Sequence, residues 1–550
     1  MLVELLLVIF RHHAHSDLVL PITSNNARFS KEILKQNQNH EFPSLINHNY
    51  MKNFVFSRIQ AIGGIVIALA VLTGCDLVDA TKVQNPATTE PQLLAGPNGA
   101  TRAVVVGLRR QFASAVANNS QVCEVVSDNY KNVTTFVSVQ LDLPRTVDLN
   151  DITVGGAYTP TQSVLALAEF GIKNTVDNAQ DLLATDAQRA QVFFFKGMAL
   201  MMLSEKFVRF PLVENGPLVP ASDARKQSIA AFREALRRAT GATGTQATDA
   251  SSNPAITAAE IITRCNYALS RVYRLEGNKD SAAFFARAGL MRSPEYAFTA
   301  TYDVVNLGSA IQDFVSNRTD HAFQPNPRLD FLDPKFMFVA ATVNDPHPSL
   351  KAEEAHLILA EIALSNNDLA AARESMSSAA RVARNRPVRM MNDRDTRPNR
   401  PNVAALNVRA DANSPAIPGL IVRRPGTVPV YGISYTNQTP DSVAALSTRN
   451  REDHLAMLFL LRQHIFFCEG RRIEDLAIKL PMPRRQVDTN PTLLAAGGNG
   501  PDAKSIVPDF IPPDDEMDQF TATATTVTLR HDMNRIIARN IKAVSPFSGF

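Results

Sequence analysis

Tryptophan is missing from all 550 residues, cysteine occurs 4 times, and acids and bases nearly cancel at a net charge of +3. Each scarcity closes off a class of function. Without Trp, flat platforms for stacking on a ligand ring must come from the 9 Tyr or 29 Phe. Cys75, Cys123, Cys265 and Cys468 are too few for a disulfide-built scaffold. With Cys75 assigned below, the others read as small buried thiols. The near-neutral balance gives no electrostatic footprint for a nucleic-acid partner. Catalytic signatures are also absent: no HExxH, no GxSxG, no Gly-rich phosphate loop, no EF-hand loop and no paired CxxC. His321, His347, His356, His454, His464 and His531 are scattered, so no metal site, no cofactor and no enzyme activity are expected.

An export signal is present, but inside the chain. From Met51 the sequence runs "MKNFVFSRIQAIGGIVIALAVLTGC", with Lys52 and Arg58 ahead of an apolar run from Ala61 to Leu72. That run is shorter than the about 20 apolar residues of a membrane-spanning helix and suits the core of a signal peptide. Leu72-Thr73-Gly74-Cys75 resembles the lipobox of bacterial lipoproteins, which implies lipidation of Cys75 and cleavage before it. Residues 51–74 are then a signal peptide and 75–99 a lipidated, Pro-punctuated tether. Residues 1–50 read as a spurious extension, with translation starting at Met51.

Beyond the tether, helical periodicity dominates, predicting a mainly all-α fold over 100–550 with long irregular loops and a few short β-hairpins. Helices are expected at 100–118, 161–183, 186–207 (Asp186 as N-cap) and 221–239, with 240–254 a flexible connector. "NYALSRVYRLEGNKDSAAFFARAGLMRSP" places Leu269, Ser270 and Tyr273 before Gly277, then Ala282, Ala286, Gly289 and Pro294. "HLILAEIALSNNDLAAARESMSSAARVARNR" repeats the spacing through Leu359, Ala360, Ala363, Asn367, Ala372 and Ala379. Both are similar to the tetratricopeptide pattern, in which small residues let paired helices approach closely. Residues 186–239 supply a third, looser pair. Hairpins are expected within 419–436 and 521–529. The least regular stretch is an insertion near 385–450.

Residues 455–483, "LAMLFLLRQHIFFCEGRRIEDLAIKLPMP", read as one long helix, with Glu469, Arg472 and Asp475 on one face and the guanidinium between two carboxylates. Glu469, Gly470, Arg472, Asp475 and Leu476 resemble the "EGxRxxDL" signature of SusD/RagB-like outer-membrane nutrient-uptake lipoproteins. Other landmarks follow that family's order: the lipobox, Asn85-Pro86, Ser127-Asp128-Asn129, "AQRAQVFFFKGMALMMLSEKFVRFPLV", the two helix pairs, and "IPPDDEMD". Phe-Phe replaces a tyrosine in the early helix, and Ile473 replaces the usual aromatic. The resemblance implies a tetratricopeptide-like scaffold, lipid-anchored at the outer membrane and facing the cell surface. It further implies capture of an oligosaccharide or similar nutrient for a SusC-like TonB-dependent barrel transporter. The alternative is a tetratricopeptide scaffold lipoprotein that holds envelope proteins together.

The ligand loop is placed at "VYGISYTNQ", where Tyr431, Tyr435, Asn437 and Gln438 offer aromatic faces and amides. Missing Trp weighs against a long glycan. The cluster Arg381, Arg384, Arg386, Arg389, Arg394, Arg397 and Arg400 reads as a solvated helix end rather than an anion site, because acids and prolines intervene.

Overall fold

The computed structural model describes residues 99–132, 139–177, 181–213, 215–303, 306–316, 323–333, 335, 345–392, 407–408, 417–418, 427–490, 504–513, 517–522 and 527–550. The signal peptide, Cys75 and nearly all of the tether lie outside the described residues, as do Arg394, Arg397 and Arg400. Among the described residues no helix is long and apolar enough to cross a membrane.

The architecture is helical, with short two-stranded ladders between helices. Helices α1 (Ala100–Val126) and α2 (Val154–Gly171) pack together, and α2 continues as one π turn, Ile172–Val176. Three antiparallel pairs follow: α3 (Asp186–Lys206) with α4 (Ala221–Gly241), α5 (Ala258–Leu275) with α6 (Lys279–Arg292), and α7 (Ala352–Ser365) with α8 (Leu369–Arg384). Then come α9 (Arg451–Ile465), the short α10 (Arg472–Asp475) and α11 (Met533–Arg539).

The pairs form for the reason their spacing suggests. In α5–α6 the Ser270 hydroxyl donates to the Ala282 carbonyl at 3.1 Å, an approach that a larger residue at either place would block. Tyr273 stacks on Phe285 with centroids 5.6 Å apart, and Ala282 and Ala286 are fully buried. The turn residues Gly277 and Asn367 both take positive φ (70° and 59°), the left-handed stop that glycine and asparagine tolerate best. The Phe-Phe that stands in place of the tyrosine is core: Phe194 and Phe195 pack with Phe112 and Phe298 at centroid distances of 5.3–5.7 Å. Each such buried ring contributes about 1.5–3 kcal/mol over its exposed state.

Several expectations need correction. The N-cap of α3 is Thr185, not Asp186; its side chain and that of Gln188 form a reciprocal capping box. The second helix begins at Val154, earlier than expected. The connector at 240–254 is anchored: fully buried Asp249 accepts from Gln188 and Gln191 and pairs with Arg109. The strand Thr427–Val430 pairs with Arg389–Asn392, and residues 419–426 of the expected hairpin lie outside the described residues. The late hairpin does form, Phe520–Ala522 against Val527–Leu529. Residues 455–483 are not one helix: α9 ends at Ile465, the chain turns through Phe466–Arg471, and α10 lasts one turn.

Candidate functional site

The turn after α9 exists because two residues adopt left-handed backbone, Cys468 (φ 61°) and Gly470 (φ 65°). A Cβ on Gly470 would sit 3.0 Å from the Ser120 backbone, and its N–H donates to Glu124 Oε1 at 2.8 Å. Glycine is therefore required here by both conformation and space. The turn sends its charged side chains in different directions, which overturns the single-face reading of Glu469, Arg472 and Asp475. Glu469 Oε1 receives Lys335 and Lys351, each at 2.6 Å. Arg472 forks onto Asp128 at 2.6 and 2.9 Å. Asp475 pairs with Arg462 at 2.6 Å. Arg471, between them, meets Glu354 at 2.8 Å and Glu474 at 3.3 Å.

These pairs continue into the helix stack. Arg274 of α5 bridges Glu361 of α7 and Glu474 of α10, and Arg271 grips both oxygens of Glu205 at 2.7 Å. Every one of these side chains is buried or nearly so, so the charges exist only because partners replace water. Burial pushes the Glu205 carboxyl up, but Arg271 and Lys206 outweigh it and hold it at about 2. Burial wins at Glu124, raised to about 7 despite bonds from Asn129 and Gly470.

Above this ionic framework lies an open cleft of about 570 Å³, within the range of small-molecule sites. One stripe of α9 forms a wall, Asp453, Ala456, Met457, Leu460 and His464, at the i, i+3, i+4 spacing of a single helix face. Asn437, Gln438 and Arg449 approach from the preceding loop, Arg328 from another, and Asp532, Asn534 and Arg535 from the start of α11. Arg535 is held by Asp453 and Glu452 at 3.0 and 3.1 Å, and Arg328 lies 3.5 Å from Asp532. Arg449 is exposed and makes no ion pair among the described residues. Asn534 is 3% exposed; its amide donates to Gln463, while its Oδ1 has no partner. The cleft therefore offers donors and acceptors over an apolar strip, and its described lining has no Phe or Tyr ring.

Gln463 joins the cleft to the framework. It accepts from Asn534 at 3.0 Å and donates to Asp128 and Asn129, each at 3.1 Å. Arg472 holds Asp128 from the other side. Thus one signature residue, Arg472, is joined to the cleft wall through Asp128, Gln463 and Asn534.

The expected ligand loop is only partly brought to this place. Asn437 lines the cleft; Tyr431 and Tyr435 do not. The two rings stack on each other, centroids 3.8 Å apart and 9° from parallel, and Tyr435 also faces Arg384 and the edge of Phe331. Burial, then Tyr435, pushes the Tyr431 hydroxyl up to about 12. Arg386 forks onto Glu353 at 2.8 and 2.7 Å, and Arg389 meets Asp345 at 2.5 Å, so these cations of the arginine stretch are occupied by acids. The sequence did not mark Arg328, Arg449, His464, Asn534 or Arg535 as ligand contacts; only the period of α9 could have singled out His464.

The histidines set an acid limit. Burial pushes His347 and His464 down to about 3 each, with nearby cations acting in the same direction. Unfolded histidine titrates near 6.5, so the stability from keeping both neutral is present above that pH and is lost as pH falls toward 3. Glu124, raised to about 7, and Asp345, raised to about 6, oppose this loss, while His356, also lowered by burial, adds to it, so three histidines stand against two carboxyls. Tm should therefore begin to fall between pH 6.5 and 5, before ordinary carboxylates titrate. A Tm that stays flat across that interval in a thermal melt series would contradict this.

No protein-family model matches the chain, and no curated protein matches it significantly. It is similar to solved structures. One is a SusD/RagB family protein from Bacteroides thetaiotaomicron, at 12% identity and TM-score 0.46, covering 74% of this chain and 97% of that one. Another is a SusD-like protein from Bacteroides fragilis, at 9% identity and TM-score 0.44, covering 70% and 87%. A third is a SusD-like carbohydrate binding protein from Bacteroides vulgatus, at 13% identity and TM-score 0.41, covering 69% and 83%.

Proposed function

We propose that this chain is a SusD/RagB-like lipoprotein of the outer membrane that captures a short carbohydrate in the cleft beside α9 and delivers it to a TonB-dependent barrel. The observation that carries the reading is the hydrogen-bond path from the cleft through Asn534 and Gln463 to Asp128 and Arg472. Through it the ordered sequence landmarks, Ser127-Asp128-Asn129 and the Glu469–Asp475 signature, act together to hold a ligand cleft rigid. Support also comes from the lipobox at Cys75, which would tether the domain to a membrane.

The cleft suits binding better than chemistry. Asp453 is engaged by Arg535, Asp532 lies near Arg328, and His464 is held neutral. The unpartnered Asn534 Oδ1 would accept from a hydroxyl, Arg449 and Asn437 would donate, and Met457 and Leu460 would face a sugar's apolar face. Without an aromatic platform, a short glycan fits better than a long one.

Titration of the purified domain with a panel of di- and trisaccharides should find at least one ligand. Asn437→Ala and Arg449→Ala, both exposed positions, should each weaken it about tenfold, the equivalent of one good hydrogen bond. Failure of every glycan to bind, or affinity unchanged in both variants, would count against the reading.

A further inference from the structure

Apart from the cleft, a cavity of about 30 Å³ lies against the signature turn, walled in part by Asn119, Glu205, Lys206, Arg271, Glu469 and Arg471. A space of ~10–15 Å³ is enough for one water-sized guest. Two of its walls carry hydrogen-bond donors left without acceptors. Lys206 is 2% exposed, and its ammonium, with three protons to donate, makes one bond among the described residues, to Glu205 Oε2 at 3.2 Å. Arg471 is 4% exposed, and its Nε–H has no partner.

The carboxylates on the wall do not remove the demand, because each is already shared between cations. Glu205 is gripped by Arg271 at both oxygens as well as by Lys206. Glu469 serves Lys335 and Lys351 together. Glu354 and Glu474 hold only the NH2 end of Arg471. The unmet groups are thus N–H donors of two buried cations, and a buried donor without an acceptor is costly.

We propose that this cavity is a monovalent-anion site that holds one chloride between the Lys206 ammonium and the Arg471 Nε–H. The ion would complete the contact between α3, α5 and the signature turn, acting as a structural part of the framework. Crystals of the mature chain soaked in sodium bromide test this directly. An anomalous bromide peak between Lys206 and Arg471 is expected; a cavity that holds only water, or nothing, overturns the proposal. In thermal melts at constant ionic strength, chloride should raise Tm over gluconate by ~2–4 °C, roughly the effect of one modest ligand on a domain this large. Lys206→Met should abolish that difference, and a difference that survives the substitution also overturns the proposal. Should Lys206→Met fail to fold, the bromide map of the unmodified protein decides alone.

Discussion

Arg472→Met is expected to lower the free energy of unfolding by about 3–5 kcal/mol, the range for removing one member of a buried ion pair. Arg472 and Asp128 are each 1% exposed in their side chains and joined by a two-point fork. The substitution leaves Asp128 ionised in the core with only the Gln463 amide for company. Most of the loss comes from that stranded carboxylate, not from the missing attraction, and the double variant separates the two. Arg472→Met with Asp128→Leu should recover a large part of the stability, because one guanidinium nitrogen of Arg472 has no partner even in the native fold. Urea melts should report a lower midpoint at unchanged m for the single variant. A single variant within about 0.5 kcal/mol of the native protein, the span of ordinary surface substitutions, would show that the pair does not organise the turn.

Glu469→Gln should be comparably damaging, about 3–5 kcal/mol at neutral pH, for the opposite reason: it strands cations. Lys351 is fully buried, and burial, against the pull of Glu469, already depresses its ammonium to about 8. Removing the carboxylate leaves Lys351 with carbonyl and hydroxyl acceptors, Ile465 and Ser434, but without the anion they surround. Its folded pKa lies below its unfolded 10.5, so the folded state binds fewer protons between these values and stability rises with pH across that window. Without Glu469 the folded value falls further, so the deficit of Glu469→Gln should shrink as pH rises toward about 8 and stay constant from there to 10.5, where Lys351 is neutral in both folded proteins. A deficit that does not change as pH rises toward 8 would assign the damage to packing instead.

What the sequence revealed and what it hid follow from the range of the interactions. The pairs α5–α6 and α7–α8 were legible because their determinants are local: Ser270 against Ala282, and Gly277 or Asn367 at the turn. The turn at 466–471 was hidden by Leu461, Ile465, Cys468 and Leu476, whose helical spacing runs on through a break. Glycine directly after Glu469 was the available signal, since a left-handed residue commonly ends a helix. The ionic partners could not be read at all. Arg472 reaches across 344 residues to Asp128, and Glu469 across 134 and 118 to its lysines, so spacing along the chain carries no trace of them. For the same reason Glu469, Arg472 and Asp475 looked like a surface triad when they are the ends of separate buried contacts. Tyr431 and Tyr435 had the composition of a ligand platform; in the fold they stack on each other, and Asn437 and Gln438 reach the cleft instead.

The helix stack and buried framework would serve a static envelope scaffold as well as a nutrient receptor, so the partner decides between them. The most direct measurement is purification of the tagged full-length protein from its native envelope in mild detergent, with mass spectrometry of whatever accompanies it. The proposed uptake role predicts a TonB-dependent outer-membrane barrel in near-equal amount, together with a mature N-terminus at lipidated Cys75. Recovery without any such barrel, or with an unmodified Cys75, would contradict it.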